Sequence, residues 1–186
     1  MSFTFPPIIL QVVLAAVVLI AAETDLRSRR IPNWLTLAGV VAGIVLNSFL
    51  NVDRFNWRTA LMGLGLAFAV YFPLYLLRGM GAGDVKLMAA VGALMGPSNW
   101  FAIFILSNVL GAIAAVVLLL SKGRLWGTLR NVGFMLNELV HFRPPYLRKE
   151  ELDLSSPKAM TMPHGLAIAM GSISFLVAAW IWAPRG

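Results

Sequence analysis

Two aspartates stand where apolar sequence meets basic sequence. Asp25 lies in Glu23-Thr24-Asp25-Leu26-Arg27-Ser28-Arg29-Arg30, and Asp84 in Gly81-Ala82-Gly83-Asp84-Val85-Lys86. A carboxylate at a membrane boundary is costly to keep unless it has a use. Two of them on one membrane face can share a single proton, because two adjacent carboxylates do not both ionise comfortably. The ionised member can then take a proton from water. The protonated member can polarise a carbonyl and pass its proton to a leaving amine. That is peptide-bond hydrolysis, and it calls for no metal, no cofactor and no nucleophilic serine.

Each aspartate also has a simpler explanation. Asp84 follows a glycine at the start of an apolar run, where it would cap a helix by accepting from free N–H groups. Gly81 and Gly83 point further: they permit positive φ and let a second backbone come close, and a protease must admit an extended peptide beside its carboxylate. Asp25 falls near the C-terminal end of its helix, where the macrodipole disfavours negative charge, so capping does not account for it. An exposed Asp25–Arg29 pair would contribute only about 0.3–0.5 kcal/mol. Glu23, two residues away, faces another side of the helix and reads as a snorkelling or loop-bonded acid. His141 reads as solvated. His164, in Met162-Pro163-His164-Gly165, reads as structural, with Pro163 and Gly165 setting the last apolar segment beside the aspartates. Neither histidine has a second ligand at zinc spacing, so no metal site is expected. The absence of cysteine excludes disulfides, thiolate zinc sites and a cysteine nucleophile.

The elements that must position these residues are membrane helices. Of 186 residues, 59% are hydrophobic and 12% charged, against about 25% charged in soluble domains. Apolar runs fall at about 8–22, 34–50, 58–77, 84–96, 100–120 and 159–182, and several approach the ~20 residues that span a bilayer. The run at 84–96 would rise only about 18 Å as a helix, short of the ~30 Å hydrocarbon core. Pro32 belongs at the start of the second helix, and Pro73 marks a kink or early end of the third. The N-terminus lacks a basic n-region and a small-residue cleavage site, so the first run reads as a permanent span. Within the polar region 121–158, Trp126, Leu129, Val132, Leu136 and Val140 are spaced as one face of an amphipathic helix on a membrane surface. The expected fold is all-α: a single membrane-embedded domain, 1–186, of about six transmembrane helices, with a cytoplasmic amphipathic helix between the fifth and sixth.

The net charge of +7 follows from orientation. With six spans, Arg27, Arg29, Arg30, Arg78, Lys86 and the basic residues of 122–158 share one side, leaving Arg54, Arg58 and Arg185 on the other. The basic side should be cytoplasmic, and both aspartates fall on it. No soluble module is long enough to present a groove to nucleic acid, so none is expected as a partner.

Together these residues resemble the type IV prepilin peptidase family of GxGD aspartic proteases. The match runs through Asp25-x-Arg27-x-x-Arg30-Ile31-Pro32-Asn33, then Gly81-Ala82-Gly83-Asp84-Val85-Lys86-Leu87, then Met162-Pro163-x-Gly165-x-Ala167-x-Ala169. A lone GxGD is weak; the three in order across the chain are specific. The resemblance implies cleavage of a prepilin or pseudopilin after its leader glycine, at the cytoplasmic face of the bacterial inner membrane, with Asp25 and Asp84 as the catalytic pair. Larger members carry an N-terminal cytosolic region, often with two CxxC pairs, and also N-methylate the product. Neither is found in this sequence, so methyl transfer is not expected and the chain resembles the short, peptidase-only type of Flp/Tad pilus systems. The archaeal preflagellin peptidases are similar too.

The rival reading is a small ion- or proton-coupled transporter, whose aspartates should lie near the bilayer midplane on broken helices. An assembly scaffold explains neither aspartate. Membrane lipids are the other expected partner: Arg124, Arg130, Arg148 and Lys149 should meet anionic headgroups at about 1 kcal/mol per charge. Glu150, Glu151 and Asp153 break the basic run; they read first as a solvated acidic turn, and they are also the candidates to meet a basic leader. The sequence carries no signal for an oligomeric state.

Overall fold

A computed structural model describes residues 5–50, 55–77, 80–123, 125–140 and 164–182. They form the helices α1 (Ile8–Ser28), α2 (Asn33–Leu50), α3 (Trp57–Leu76), α4 (Ala82–Ser121), α5 (Leu125–Val140) and α6 (His164–Trp182). All but α5 are long and apolar enough to cross a bilayer, and the chain is a multi-pass membrane protein of all-α architecture.

The expected runs map onto these helices with two differences. The first helix does not stop near residue 22 but continues to Ser28, which puts Asp25 inside its last turns. The fourth and fifth runs form one element, broken where Gly96 adopts φ 71°, ψ 173° with Pro97 behind it. The break reverses the chain. The arm 82–95 packs backbone to backbone on α3, with Gly92 on Gly63 and Gly96 on Thr59. The arm 97–121 comes back along the same helix: Trp100 and Phe104 set their rings 6.3 and 5.8 Å from that of Tyr71, three turns further along α3 than Thr59. The first arm is indeed short, about 14 residues or ~21 Å.

That arm is the centre of the bundle. Residues 87–96 are buried on every side, which an apolar helix tolerates only when surrounded by others. Small residues allow the approach. Gly43 of α2 packs against the backbone of Ala93 and Leu94, and Gly39 against Ala90. Buried Asn47 donates to the carbonyls of Gly43 (2.7 Å) and Ala93 (3.1 Å), a polar tie in the lipid-embedded layer. Asn56 begins α3 as its N-cap, accepting from the N–H groups of Arg58 and Thr59 at 3.0 and 3.1 Å. Pro32 precedes α2 and takes the Leu35 N–H on its carbonyl. Pro73 sits inside α3 without ending it.

The C-terminal ends of α1, α3 and the arm 97–121 meet the N-terminal ends of α2, the arm 82–95 and α6 at one end of the bundle. Gly96 lies at the other end. The amphipathic α5 forms over Leu125–Val140 with Trp126 exposed. Pro163, His141, Glu150, Glu151 and Asp153 lie outside the described residues.

Candidate active site

Asp25 is buried, at 7% exposure, three residues before the end of α1. The chain turns away just after it: Arg29 adopts the left-handed conformation (φ 53°) and returns its N–H to the Asp25 carbonyl at 2.9 Å. The Asp25 side chain points to α6, where its Oδ2 accepts the backbone N–H of Gly165 at 2.9 Å. Gly165 is the second residue of α6, so this N–H is one of the donors that a helix leaves free at its start. The positive end of α6 thus offsets the unfavourable place of a carboxylate at the end of α1. Gly165 also packs closely on this carboxylate: a Cβ there would sit 3.0 Å from Oδ2 and 3.1 Å from Cβ of Asp25.

Asp84 is half-buried in the first turn of α4. It is not the N-cap. Gly81 occupies that position with φ −75°, ψ 147°, and Asp84, three residues on, reaches back to accept the Gly81 N–H, as the acid of a capping box does. Neither Gly81 nor Gly83 uses positive φ. They serve by lacking a side chain: a Cβ on Gly81 would meet Oδ2 of Asp84 at 3.3 Å, and one on Gly83 would meet Cβ of Ile31 at 3.2 Å. The loop between α1 and α2 therefore lies directly on the start of α4. Lys86 fastens the same junction, donating from Nζ to Oδ1 of Asn33 at 2.9 Å.

Asp25 and Asp84 line one open cavity of about 480 Å³, with Gly81, Gly83, Asn33 and Lys86 around it. The two carboxylates interact electrostatically, and His164 is the other titratable neighbour that acts on Asp84. Each carboxylate is held by a backbone N–H at a helix N-terminus, one from α4 and one from α6. Glu23 takes no part. It pairs on the surface with Arg27 at 2.8 Å. Among the described residues no group of histidine and carboxylate side chains could hold a metal ion.

Tyr71 and Asn108 are the residues near this site that sequence reasoning passed over. Tyr71 and Asn108 share a side-chain hydrogen bond and Tyr71 lies within electrostatic reach of Asp84. They lie in separate apolar runs, far apart in sequence, with no spacing to give them away. His164, which the sequence points to as structural, begins α6 beside Gly165.

The type IV leader peptidase family matches residues 12–116, a stretch that holds both aspartates. Over 119 residues the chain is 33% identical to a prepilin leader peptidase/N-methyltransferase of Neisseria gonorrhoeae, covering 60% of this chain and 41% of that protein. Over 120 residues it is 31% identical to a protein of the same name from Xanthomonas campestris pv. campestris, covering 61% and 41%. A preflagellin peptidase of Methanocaldococcus jannaschii is 34% identical over 84 residues, or 44% of this chain and 36% of that one. The chain thus spans about two fifths of the length of the curated relatives it matches. No solved structure matches it.

Proposed function

The chain belongs to the type IV leader peptidase family, and on that premise we propose that it is an aspartic endopeptidase that removes the leader peptide of prepilin-like substrates, with Asp25 and Asp84 as its catalytic pair. The observation that carries this reading is their convergence, from 59 residues apart in sequence, on one open cavity.

One carboxylate holds a proton and the other does not. The ionised one takes a proton from a water as the water oxygen bonds to the scissile carbonyl carbon. The protonated one hydrogen-bonds the carbonyl oxygen as charge builds there. Collapse of the tetrahedral adduct breaks the C–N bond, and the proton goes to the departing amine. The products are a carboxylic acid and an amine, so atoms balance with water alone. The backbone N–H groups of Gly81 and Gly165 hold the carboxylates in place, so that little reorganisation accompanies the reaction.

The setting proposed is the bacterial inner membrane, with this end of the bundle at the cytoplasmic face. The basic residues of the flanking segments support it. The transporter reading gains no support from the layout. Both aspartates are at one end of the bundle, and the helix break at Gly96 is at the other. The reading covers peptide hydrolysis only, of the peptidase-only kind found with Flp/Tad pili. For the leader itself the proposed contacts are Glu150, Glu151 and Asp153. Changing all three to lysine should raise KM for a substrate with a basic leader and spare one with a neutral leader.

The direct test is Asp25→Asn and Asp84→Asn, each assayed on a prepilin in proteoliposomes. Asparagine keeps the shape but cannot take or pass the proton, so each variant should lose cleavage by at least about a hundredfold, the lower range for general acid–base catalysis, while staying folded in the membrane. Glu23→Gln should retain most activity. Undiminished cleavage by either asparagine variant removes that residue from the mechanism.

A further inference from the structure

His164 is the first residue of α6, and its neighbour fixes its place. Gly165 gives its N–H to Oδ2 of Asp25 at 2.9 Å, and adjacent Cα atoms are only about 3.8 Å apart. The end of α1 therefore holds His164 beside the aspartate pair. The residue is half-buried. It borders a second cavity, between α3, the arm 97–121 and α6, together with Tyr71, Ser107 and Asn108.

The groups that face it come from four elements. From α1 comes Asp25, through its bond to Gly165. From the arm 82–95 comes Asp84, which interacts electrostatically with the imidazole. From α3 comes Tyr71, whose hydroxyl is bonded to the Asn108 side chain, and the arm 97–121 offers the uncharged Ser107 and Asn108. The basic residues Arg29, Arg30 and Lys86 line the other cavity, the one that the aspartates share, and Lys86 is bonded to Asn33. The stability of α6 does not explain a histidine here. An imidazolium at a helix start opposes the macrodipole, so its charge is favourable only with anions close by. The anions in reach are the two aspartates.

We propose, on the leader peptidase reading above, that His164 is a positioning residue for the proton that Asp25 and Asp84 share: its imidazolium favours the pair without that proton, and its neutral form lets the pair keep it. The pair cleaves only while it holds one proton. A cation beside a carboxyl group favours the ionised form. Histidine is the side chain whose ordinary charge change falls between pH 5 and 8. Charge at position 164 therefore sets where cleavage fades on the alkaline side. A cation moves that limit down, and a neutral side chain moves it up. His164 acts through the aspartates and touches neither the water nor the scissile bond.

The experiment takes the full chain in proteoliposomes with one prepilin substrate. It follows kcat/KM against pH for the wild type, His164→Gln and His164→Lys. Glutamine carries no charge, and lysine keeps its charge across the range. The alkaline limb reports the free enzyme's essential acid. It should fall at lower pH in His164→Lys than in His164→Gln by about one pH unit, the scale for one charge in reach of a partly buried carboxyl group. The wild type should lie between them. The position of a limb does not depend on the folded fraction of the sample, so partial misfolding leaves the comparison intact. His164→Asn and His164→Arg repeat it with other shapes. A histidine that only packs would lower kcat/KM at every pH and leave the limbs together. Coincident limbs in the neutral and cationic variants overturn the inference, as does a shift in the opposite direction. If cleavage then still depends on Asp25 and Asp84, the role of His164 alone is lost. If the aspartates prove dispensable, the leader peptidase reading falls first and the role of His164 with it.

Discussion

The carboxylate of Asp25 and the backbone N–H of Gly165 meet at 2.9 Å, across 140 positions of sequence. The contact joins the end of the first helix to the start of the last. Burying a carboxylate without a partner is expensive, so the bond sets both the charge balance at Asp25 and the approach of α6. It also leaves little room for a methyl group, since the three nearest atoms to a Cβ on Gly165 all belong to Asp25, at 3.0 to 3.3 Å.

Gly165→Ala should therefore act on catalysis more than on stability. A few tenths of an ångström of movement is enough for the protein to absorb the methyl group, but the group that moves is the Asp25 carboxylate. Displacements of about 1 Å in a reacting group can cost a hundredfold. The expectation is a fall in kcat of about tenfold to a hundredfold with a small change in melting temperature, measured on the same purified sample. An unchanged kcat would mean that Asp25 does not need its present position.

Gly96→Ala should act on stability instead. The conformation φ 71°, ψ 173° is open almost only to glycine, and a Cβ would also lie 2.7 Å from Cγ2 of Thr59. Strain of this kind costs about 1–3 kcal/mol, and the contact with Thr59 adds to it. Thermal unfolding in detergent should show the loss. Thr59→Ala on the same background should recover the steric part only.

Much of this was legible in the sequence, for reasons that can be named. Asp25 and Asp84 stood out because charge is rare in apolar sequence, so each exception asks for a cause. The amphipathic spacing of 126–140 found α5 because period alone determines that pattern. The break at Gly96-Pro97 was visible as the end of a short run. A reversal there follows from the six-span count, but the packing of Trp100 and Phe104 against Tyr71 does not. The simpler reading of Asp84, as the N-cap, falls one turn off. The sequence offers an aspartate and glycines at a helix start, and only the backbone shows that Gly81 is the cap and Asp84 the acid reaching back to it. Asn33 and Lys86 lay inside quoted motifs, yet their bond spans 53 positions, and nothing local in either motif points to the other.

Orientation can be tested directly. The end of α1 and the start of the arm 82–95, which carry the aspartates, should be cytoplasmic, by the Lys and Arg balance. A reporter inserted within 126–140 should then read cytoplasmic, and one within 51–56 external. The opposite result would put Asp25 and Asp84 on the wrong face for a cytoplasmic leader.

The bond between Lys86 and Asn33 holds the start of α4 to the start of α2, and with it the distance from Asp84 to the end of α1. It is exposed, so breaking it should lower stability by less than about 1 kcal/mol. Its worth should appear in the rate. Lys86→Met and Asn33→Ala should each lower kcat about tenfold, and the double variant should be no worse than either alone, because both remove the same tie. A different role for Lys86 gives a different pattern. If its charge acts on the peptide rather than on Asn33, Lys86→Met will lose activity and Asn33→Ala will keep it. Measuring kcat and KM for the three variants separates a positioning residue from one that touches the substrate.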